Sequence, residues 1–191
     1  MKISIIIPVY NEEMYIGQCL ESLIKNDISI IKEILVIDGM SNDNTISIVE
    51  SFKKKIPKLK LLLNKNKIVP CALNIGLKAA KSDFIMRLDA HSVYPDDYIL
   101  NCFEILNKKN VDCVGGIIVP IVDGNLTASN IVHMLTTSIF GVGNSDFRLD
   151  SKAKYSDTVP FGFFKKSIFQ KIGYFDERLE RNQDYEFNKR I

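Results

Sequence analysis

No stretch of the 191 residues approaches the roughly 18 consecutive apolar positions of a transmembrane helix. The opening Ile3 to Ile7 run meets Pro8 before it reaches the length of a signal peptide's apolar region, and no small-residue cleavage site follows it. Cysteine is scarce: Cys19, Cys71, Cys102 and Cys113 form no Cys-x-x-Cys pair, and three of them fall inside apolar patterns. That usage favours buried, reduced thiols in a cytosolic protein over disulfides or a zinc knot. A charge excess is also missing. Lys and Arg total 25 against 23 Asp and Glu, a net +2, which supplies no whole-chain attraction for nucleic acid. No Gly-x-Gly-x-x-Gly follows the first apolar run, where Pro8-Val9-Tyr10-Asn11 stands instead, and Gly141-Val142-Gly143 comes late, in a loop candidate. This counts against a dinucleotide-dependent oxidoreductase.

The composition, 46% hydrophobic and 25% charged, is that of a globular chain long enough for one domain with a sizeable core. No linker-like shift or internal repeat marks a boundary. One local bias stands out: Lys53, Lys54, Lys55, Lys58, Lys60, Lys65 and Lys67 fall within fifteen residues that contain no acid. They read as a solvated face, with weak attraction to an anionic membrane surface or substrate as the sharper alternative.

Apolar runs and helical patterns alternate along the chain. Ile3 to Ile7 is a β-branched strand ended by Pro8. Asn11-Glu12-Glu13 then offers a capping side chain and two acids before a helix whose Ile16, Cys19, Leu20, Leu23 and Ile24 share one face. Ile34 to Ile37 is a second buried strand, and Asp38 to Thr45 is dense in turn formers before a helix carrying Ile46, Val49 and Phe52. Leu61 to Leu63 is a third strand, and Pro70 suits the first turn of a helix with Ala72, Ile75, Gly76, Ala79 and Ala80 on one side. Parallel strands this close in sequence need a crossover helix each time, so the fold class is α/β with a mostly parallel central sheet flanked by helices. Past residue 90, Asp96 and Asp97 open another helix, and Val114 to Val119 is a strand whose Gly115 and Gly116 admit a close backbone or ligand. Residues 141–158 are polar and read as a mobile lid. Asp184 to Ile191 is helical with no stop signal after it, so the domain is expected to continue beyond Ile191.

The centre of this arrangement is Phe84-Ile85-Met86-Arg87-Leu88-Asp89-Ala90-His91, a short apolar run that ends in an acid and an imidazole. The C-terminal ends of parallel strands collect ligand sites. There a carboxylate and an imidazole two residues apart can reach one divalent cation. The plain alternative makes Asp89 a helix cap and His91 a surface loop residue.

Pro8-Val9-Tyr10-Asn11-Glu12-Glu13, Asp38 with Ser41, Asp43 and Thr45, Asn74-x-Gly76, Leu88-Asp89-Ala90-His91, Gly115-Gly116, Phe175-Asp176-Glu177 and Asn182-Gln183-Asp184 occur in the order seen in family 2 glycosyltransferases of the GT-A fold. The resemblance spans essentially the whole chain. Asp-Ala-His followed by Tyr94-Pro95 and Asp97-Tyr98 is most similar to the branch of succinoglycan-type exopolysaccharide glucosyltransferases.

The resemblance implies that Pro8, Tyr10, Glu12, Asp38 and Asp89 hold the nucleotide. A tyrosine ring can stack on uracil, and a carboxylate can accept from its ring N–H or from ribose hydroxyls. It implies that Asp89 and His91 hold Mn²⁺ or Mg²⁺ at the donor's diphosphate, with His91 where the family has a second acid. Gly39 is another departure, standing where an acid usually follows the first. Asp184 maps to the catalytic base, with Gln183 where an acid is common. The single domain 1–191 would then divide into a nucleotide-sugar half, 1–90, and a metal and acceptor half, 91–191. The implied activity is an inverting transfer from a nucleotide-diphosphate sugar, first of all a UDP-sugar, to a saccharide or lipid-linked acceptor of cell-surface polysaccharide. The implied place is the cytoplasm, at the inner face of the membrane, with peripheral attachment through sequence beyond Ile191. The alternative is a non-catalytic nucleotide-binding domain of the same fold.

Overall fold

Side chains alternate across a strand, so a continuous apolar run has to bury both of its faces. The computed structural model, which describes residues 2–109, 111–119, 121, 155–156 and 158–191, shows such a sheet. Strands β1 (Ile3–Val9), β2 (Ile31–Asp38), β3 (Leu59–Leu63) and β4 (Phe84–Arg87) pair in parallel. With β5 (Cys113–Val114) and β6 (Phe163–Lys165) the order among the described residues is β3-β2-β1-β4-β6-β5, and β6 runs antiparallel to both its neighbours. The described helices are α1 (Ile16–Lys25), α2 (Thr45–Phe52), α3 (Val69–Ala79), α4 (Tyr98–Lys108), α5 (Ser167–Ile172) and α6 (Gln183–Arg190).

Two cores follow from the alternation. Ile3, Ile5, Ile7, Ile34, Val36 and Met86 pack beneath α1, α2 and α4 through Leu20, Leu23, Val49, Ile99 and Leu106. Ile6, Leu35, Ile37 and Ile85 face α3, α5 and α6 through Leu73, Leu77, Phe169 and Phe187. Each such fully buried aliphatic or aromatic side chain contributes roughly 1.5–3 kcal/mol before entropy is counted. Cys19, Cys71 and Cys102 lie buried in this packing, and all four cysteines are free thiols.

Several local expectations are corrected. Pro8 does not end β1 but lies inside it, opposite Ile37. Residues two apart point the same way, and Ile6 O accepts from Leu88 N–H on the β4 side, so the nitrogen of Pro8 faces the space past the last paired residue of β4. The expected strand over Val114 to Val119 is confined to Cys113–Val114. Its glycines admit other parts of the chain itself: a Cβ at Gly115 would lie 2.1 Å from Val159 Cγ1, and one at Gly116 2.6 Å from the Tyr98 ring. Asn11 does not cap α1, whose N-cap position is Tyr15 with no side-chain cap bond. Strand β6 had no expectation attached to it. The lid reading of 141–158 lies outside the described residues except at Tyr155, Ser156 and Thr158.

The lysine-rich stretch divides between the end of α2, the edge strand β3 and the turn after it. Lys55 pairs with Glu21 at 3.2 Å, Lys60 with the buried Glu33 at 2.7 Å, and Lys58 donates to Ile28 O and Ile31 O, each at 2.8 Å. Lysines on an edge strand also discourage pairing with another chain.

Candidate active site

Strands β1, β2 and β4 run parallel, so the segments after Val9, Asp38 and Arg87 leave the sheet along one edge. The first two are zipped together by their own polar groups. Asn11 N–H donates to Ser41 Oγ at 2.9 Å, Glu12 N–H to Thr45 Oγ1 at 2.7 Å and Glu13 N–H to Asp43 Oδ2 at 3.1 Å. Asn42 N–H returns a bond to Asn11 Oδ1 at 2.9 Å, and Gly39 N–H donates to Val9 O at 2.8 Å. Asn11 is therefore a bridge between loops. It has a left-handed φ of 55°, as do Met40 and Lys67 nearby, each at 64°. Bulky residues in that region cost energy and persist where their surroundings hold them.

Asp38 is completely buried at the end of β2. Its Oδ2 accepts from Ser41 N–H at 3.0 Å, and its Oδ1 has no partner among the described residues. Beside it the Tyr10 ring is 46% exposed, with Lys67 Nζ 5.9 Å from the ring centroid. Gly39 is explained by crowding: a Cβ there would meet Lys67 O and Val9 O at 3.3 Å and Tyr10 Cβ at 3.4 Å. A larger residue at this position would need these neighbours to give by a few tenths of an ångström.

Asp89 does not cap a helix; it stands in the turn beyond β4, and α4 begins at Tyr98. Its main chain is clamped by Tyr94, whose hydroxyl accepts from Asp89 N–H at 2.7 Å and donates to Asp89 O at 3.1 Å. Burial drives the Tyr94 hydroxyl's pKa well up, so it stays a neutral donor and acceptor. The Cys19 thiol, pushed up to about 12 chiefly by burial, lies 3.5 Å from the same carbonyl. His91 Nδ1 sits 3.2 Å from both Asp89 Oδ1 and Glu12 Oε1, so Glu12, Asp89 and His91 are brought together. Among the described residues no three His, Cys, Asp or Glu side chains are set around a common point as a metal cage. A cation here would draw on Asp89 and His91 alone, and that donor set fits one whose shell is completed by phosphate oxygens and water.

Asp184 lies in the first turn of α6, after Asn182 in left-handed conformation at φ 60°. Its Oδ2 accepts from Arg87 Nη1 across 97 residues of sequence. Arg87 is 5% exposed and has the Phe161 ring 4.7 Å from its guanidinium carbon. Burial raises the Asp184 pKa above the ordinary carboxylate value, the Arg87 charge opposes that, and the Asp89 charge adds to it.

The sequence expectations thus fall along one edge: Pro8 inside β1 and Asp38 at the end of β2, Tyr10, Glu12, Asp89 and His91 on the segments beyond the strands, and Asp184 reached through Arg87. Sequence reasoning gave Arg87 no role, although a charge within a buried apolar run was a signal. It also gave no role to Asn74. That side chain accepts from Phe175 N–H at 3.1 Å and donates to Phe175 O at 2.9 Å and Glu177 Oε1 at 2.8 Å, fixing the segment that leads to α6.

Comparison with known proteins agrees with this architecture. The Staphylococcus aureus TarS fragment 1–349 in complex with UDP-GlcNAc superposes with a TM-score of 0.73 at 24% identity, over 100% of this chain and 53% of that one. The mannosyltransferase PcManGT from Pyrobaculum calidifontis, solved with GDP-Man and Mn²⁺, gives a TM-score of 0.73 at 21% identity, over 97% and 50%. Both likenesses establish the GT-A fold. In sequence, the chain is 33% identical to the dolichyl N-acetyl-alpha-D-glucosaminyl phosphate 3-beta-D-2,3-diacetamido-2,3-dideoxy-beta-D-glucuronosyltransferase of Methanococcus voltae, over 97% of this chain and 60% of the relative. It is 26% identical to the succinoglycan biosynthesis protein ExoA of Rhizobium meliloti (strain 1021), over 98% of this chain and 57% of the relative. The chain therefore spans somewhat over half the length of these curated relatives. The profile of Glycosyl transferase family 2 matches residues 4–173, and the chain belongs to that family.

Proposed function

We propose that the protein transfers a sugar from a nucleotide-diphosphate donor, a UDP-sugar first of all, to a saccharide or lipid-linked acceptor in cell-surface polysaccharide synthesis. The observation that carries the donor part is Asp38 Oδ1, a buried carboxylate oxygen with no partner among the described residues, beside an exposed tyrosine ring. Such an atom costs free energy until a donor group reaches it, and a base N–H or a ribose hydroxyl supplies one. Pro8, Tyr10, Glu12 and Asp38 would then form the base and ribose end, and Asp89 the sugar-phosphate end. Residues 1–90 would hold the donor, and 91–191 the metal and acceptor.

Asp89 and His91 would hold Mn²⁺ or Mg²⁺, which when bound supplies positive charge beside the departing diphosphate. Asp184 would act on the acceptor. Its carboxylate takes the hydroxyl proton as the acceptor oxygen bonds to the anomeric carbon, opposite the breaking bond to the diphosphate, and configuration inverts. Solved neighbours named as complexes with UDP-GlcNAc and GDP-Man support the choice of donor class. No helix among the described residues is long and apolar enough to cross a membrane. Work at the inner membrane face, with peripheral attachment, belongs to the same proposal.

The test uses UDP release from UDP-GlcNAc, in water and with added saccharide, by the full chain. Asp184→Asn should leave the UDP-induced melting shift intact and lower UDP release by about 10²-fold or more. Undiminished release would remove Asp184 from the chemistry, and a UDP shift with no release by wild type would favour the non-catalytic alternative.

A further inference from the structure

We propose that Arg87 is a positioning residue that fixes the partly buried Asp184 carboxylate and keeps it ionised, a role that rests on the reading of Asp184 as base. Arg87 projects from the end of β4 two residues before Asp89, so this strand and the turn that follows it carry the partner of the acceptor-side acid and the donor-side acid. The guanidinium is fixed from two directions, by the Asp184 carboxylate and by the face of Phe161. Phe161 itself is held at φ 52°, a conformation its bulk disfavours, in the loop that enters β6. The loop stays registered with β4, since Arg87 N–H donates to Gly162 O at 3.0 Å. These contacts therefore tie the end of β4, the Phe161 ring and the Asp184 carboxylate together.

The charge matters as much as the placement. Among the described residues three titratable groups act on Asp184: Arg87 from β4, Asp89 from the turn beyond it, and the Cys113 thiol from β5, which burial holds neutral. Of these groups, Arg87 alone favours the ionised carboxylate against burial and against Asp89. A neutral side chain in its place leaves only influences that favour the protonated acid, and a protonated acid cannot take the acceptor's proton. Lysine keeps the charge but loses the planar fork that orients a carboxylate.

The experiment follows the Asp184 carboxyl by ¹³C NMR across pH in the full chain, for wild type, Arg87→Lys and Arg87→Met, alongside UDP release from UDP-GlcNAc. The Asp184 midpoint should rise by about one pH unit or more in Arg87→Met and stay near wild type in Arg87→Lys. Wherever release is measured, its acid limb should move with that midpoint while the UDP melting shift holds. If the methionine variant does not fold, wild type decides alone: the Arg87 Nη–H signals should be resolved and should shift with the same midpoint as Asp184. An Asp184 midpoint indifferent to Arg87, or Arg87 signals indifferent to the titration, overturns the proposal. Should the midpoints move as expected while Asp184→Asn still releases UDP at the wild-type rate, the coupling stands and the assignment of the base falls instead.

Discussion

Asp38 is fully buried and Asp184 partly buried, and the two differ in what their surroundings leave open. Asp38 keeps one oxygen for Ser41 N–H and one with no partner among the described residues, which suits a group that waits for a ligand. Asp184 is already paired, so its oxygen can exchange partners only within a prepared site. Asp38→Asn tests the first of these. The amide keeps an oxygen for Ser41 and places an NH₂ where the spare oxygen was, so it no longer accepts from a base N–H. The ligand-free melting temperature should stay within roughly 4 °C of wild type, the size of a ~1 kcal/mol change in a domain of this length. The UDP-induced shift should fall by half or more; an unchanged shift removes Asp38 from the nucleotide site. Both acids were legible in the sequence through their order among motifs. Arg87 was not, because its partner lies 97 positions away and no local pattern connects them.

Strands and helices were legible where hydrophobic period decides them. β1 to β4 and α1 to α4 lie where alternating runs and faces put them, because burial on both sides of a sheet leaves a continuous apolar signature. Elements defined by long-range contacts were not. β6 pairs with β4 only after a return of some eighty residues, and Gly115 and Gly116 are shaped by Val159 and Tyr98. Asn74 belongs to this class, since one amide on α3 satisfies the backbone of Phe175 and the carboxylate of Glu177. Asn74→Ala leaves a buried N–H and C=O without partners, at a cost of about 1–3 kcal/mol. Hydrogen exchange should show it as faster exchange at the Phe175 amide and along α6, with β1 and β2 protected as in wild type. Protection of α6 equal to wild type would mean that Asn74 does not hold this segment.

On the scale of the whole molecule, the sheet edge separates the donor question from the acceptor question. Every candidate nucleotide contact comes from β1, β2, β4 and the segments after them, all among the described residues, whereas the proposed acceptor contacts would draw on later parts of the chain. Donor recognition is therefore the property this chain can be asked about directly. The discriminating measurement is a melting scan with UDP, GDP, CDP and NAD, each with and without Mn²⁺, on wild type and Asp89→Ala. A ligand at ~100 times its dissociation constant adds roughly 2.7 kcal/mol of stability. For a chain of this size that is a rise of roughly 5–11 °C, well above the noise of a scan. UDP should stabilise more with Mn²⁺ than without, and Asp89→Ala should remove the metal-dependent part first, because Asp89 would hold the cation, whose positive charge would favour the diphosphate. A metal-independent UDP shift that survives in Asp89→Ala would leave the base and ribose site standing and take Asp89 and His91 out of metal binding. Stabilisation by NAD in preference to UDP would overturn the donor site altogether, since Tyr10 and Asp38 would then be serving a dinucleotide on a chain that lacks the glycine turn for its pyrophosphate.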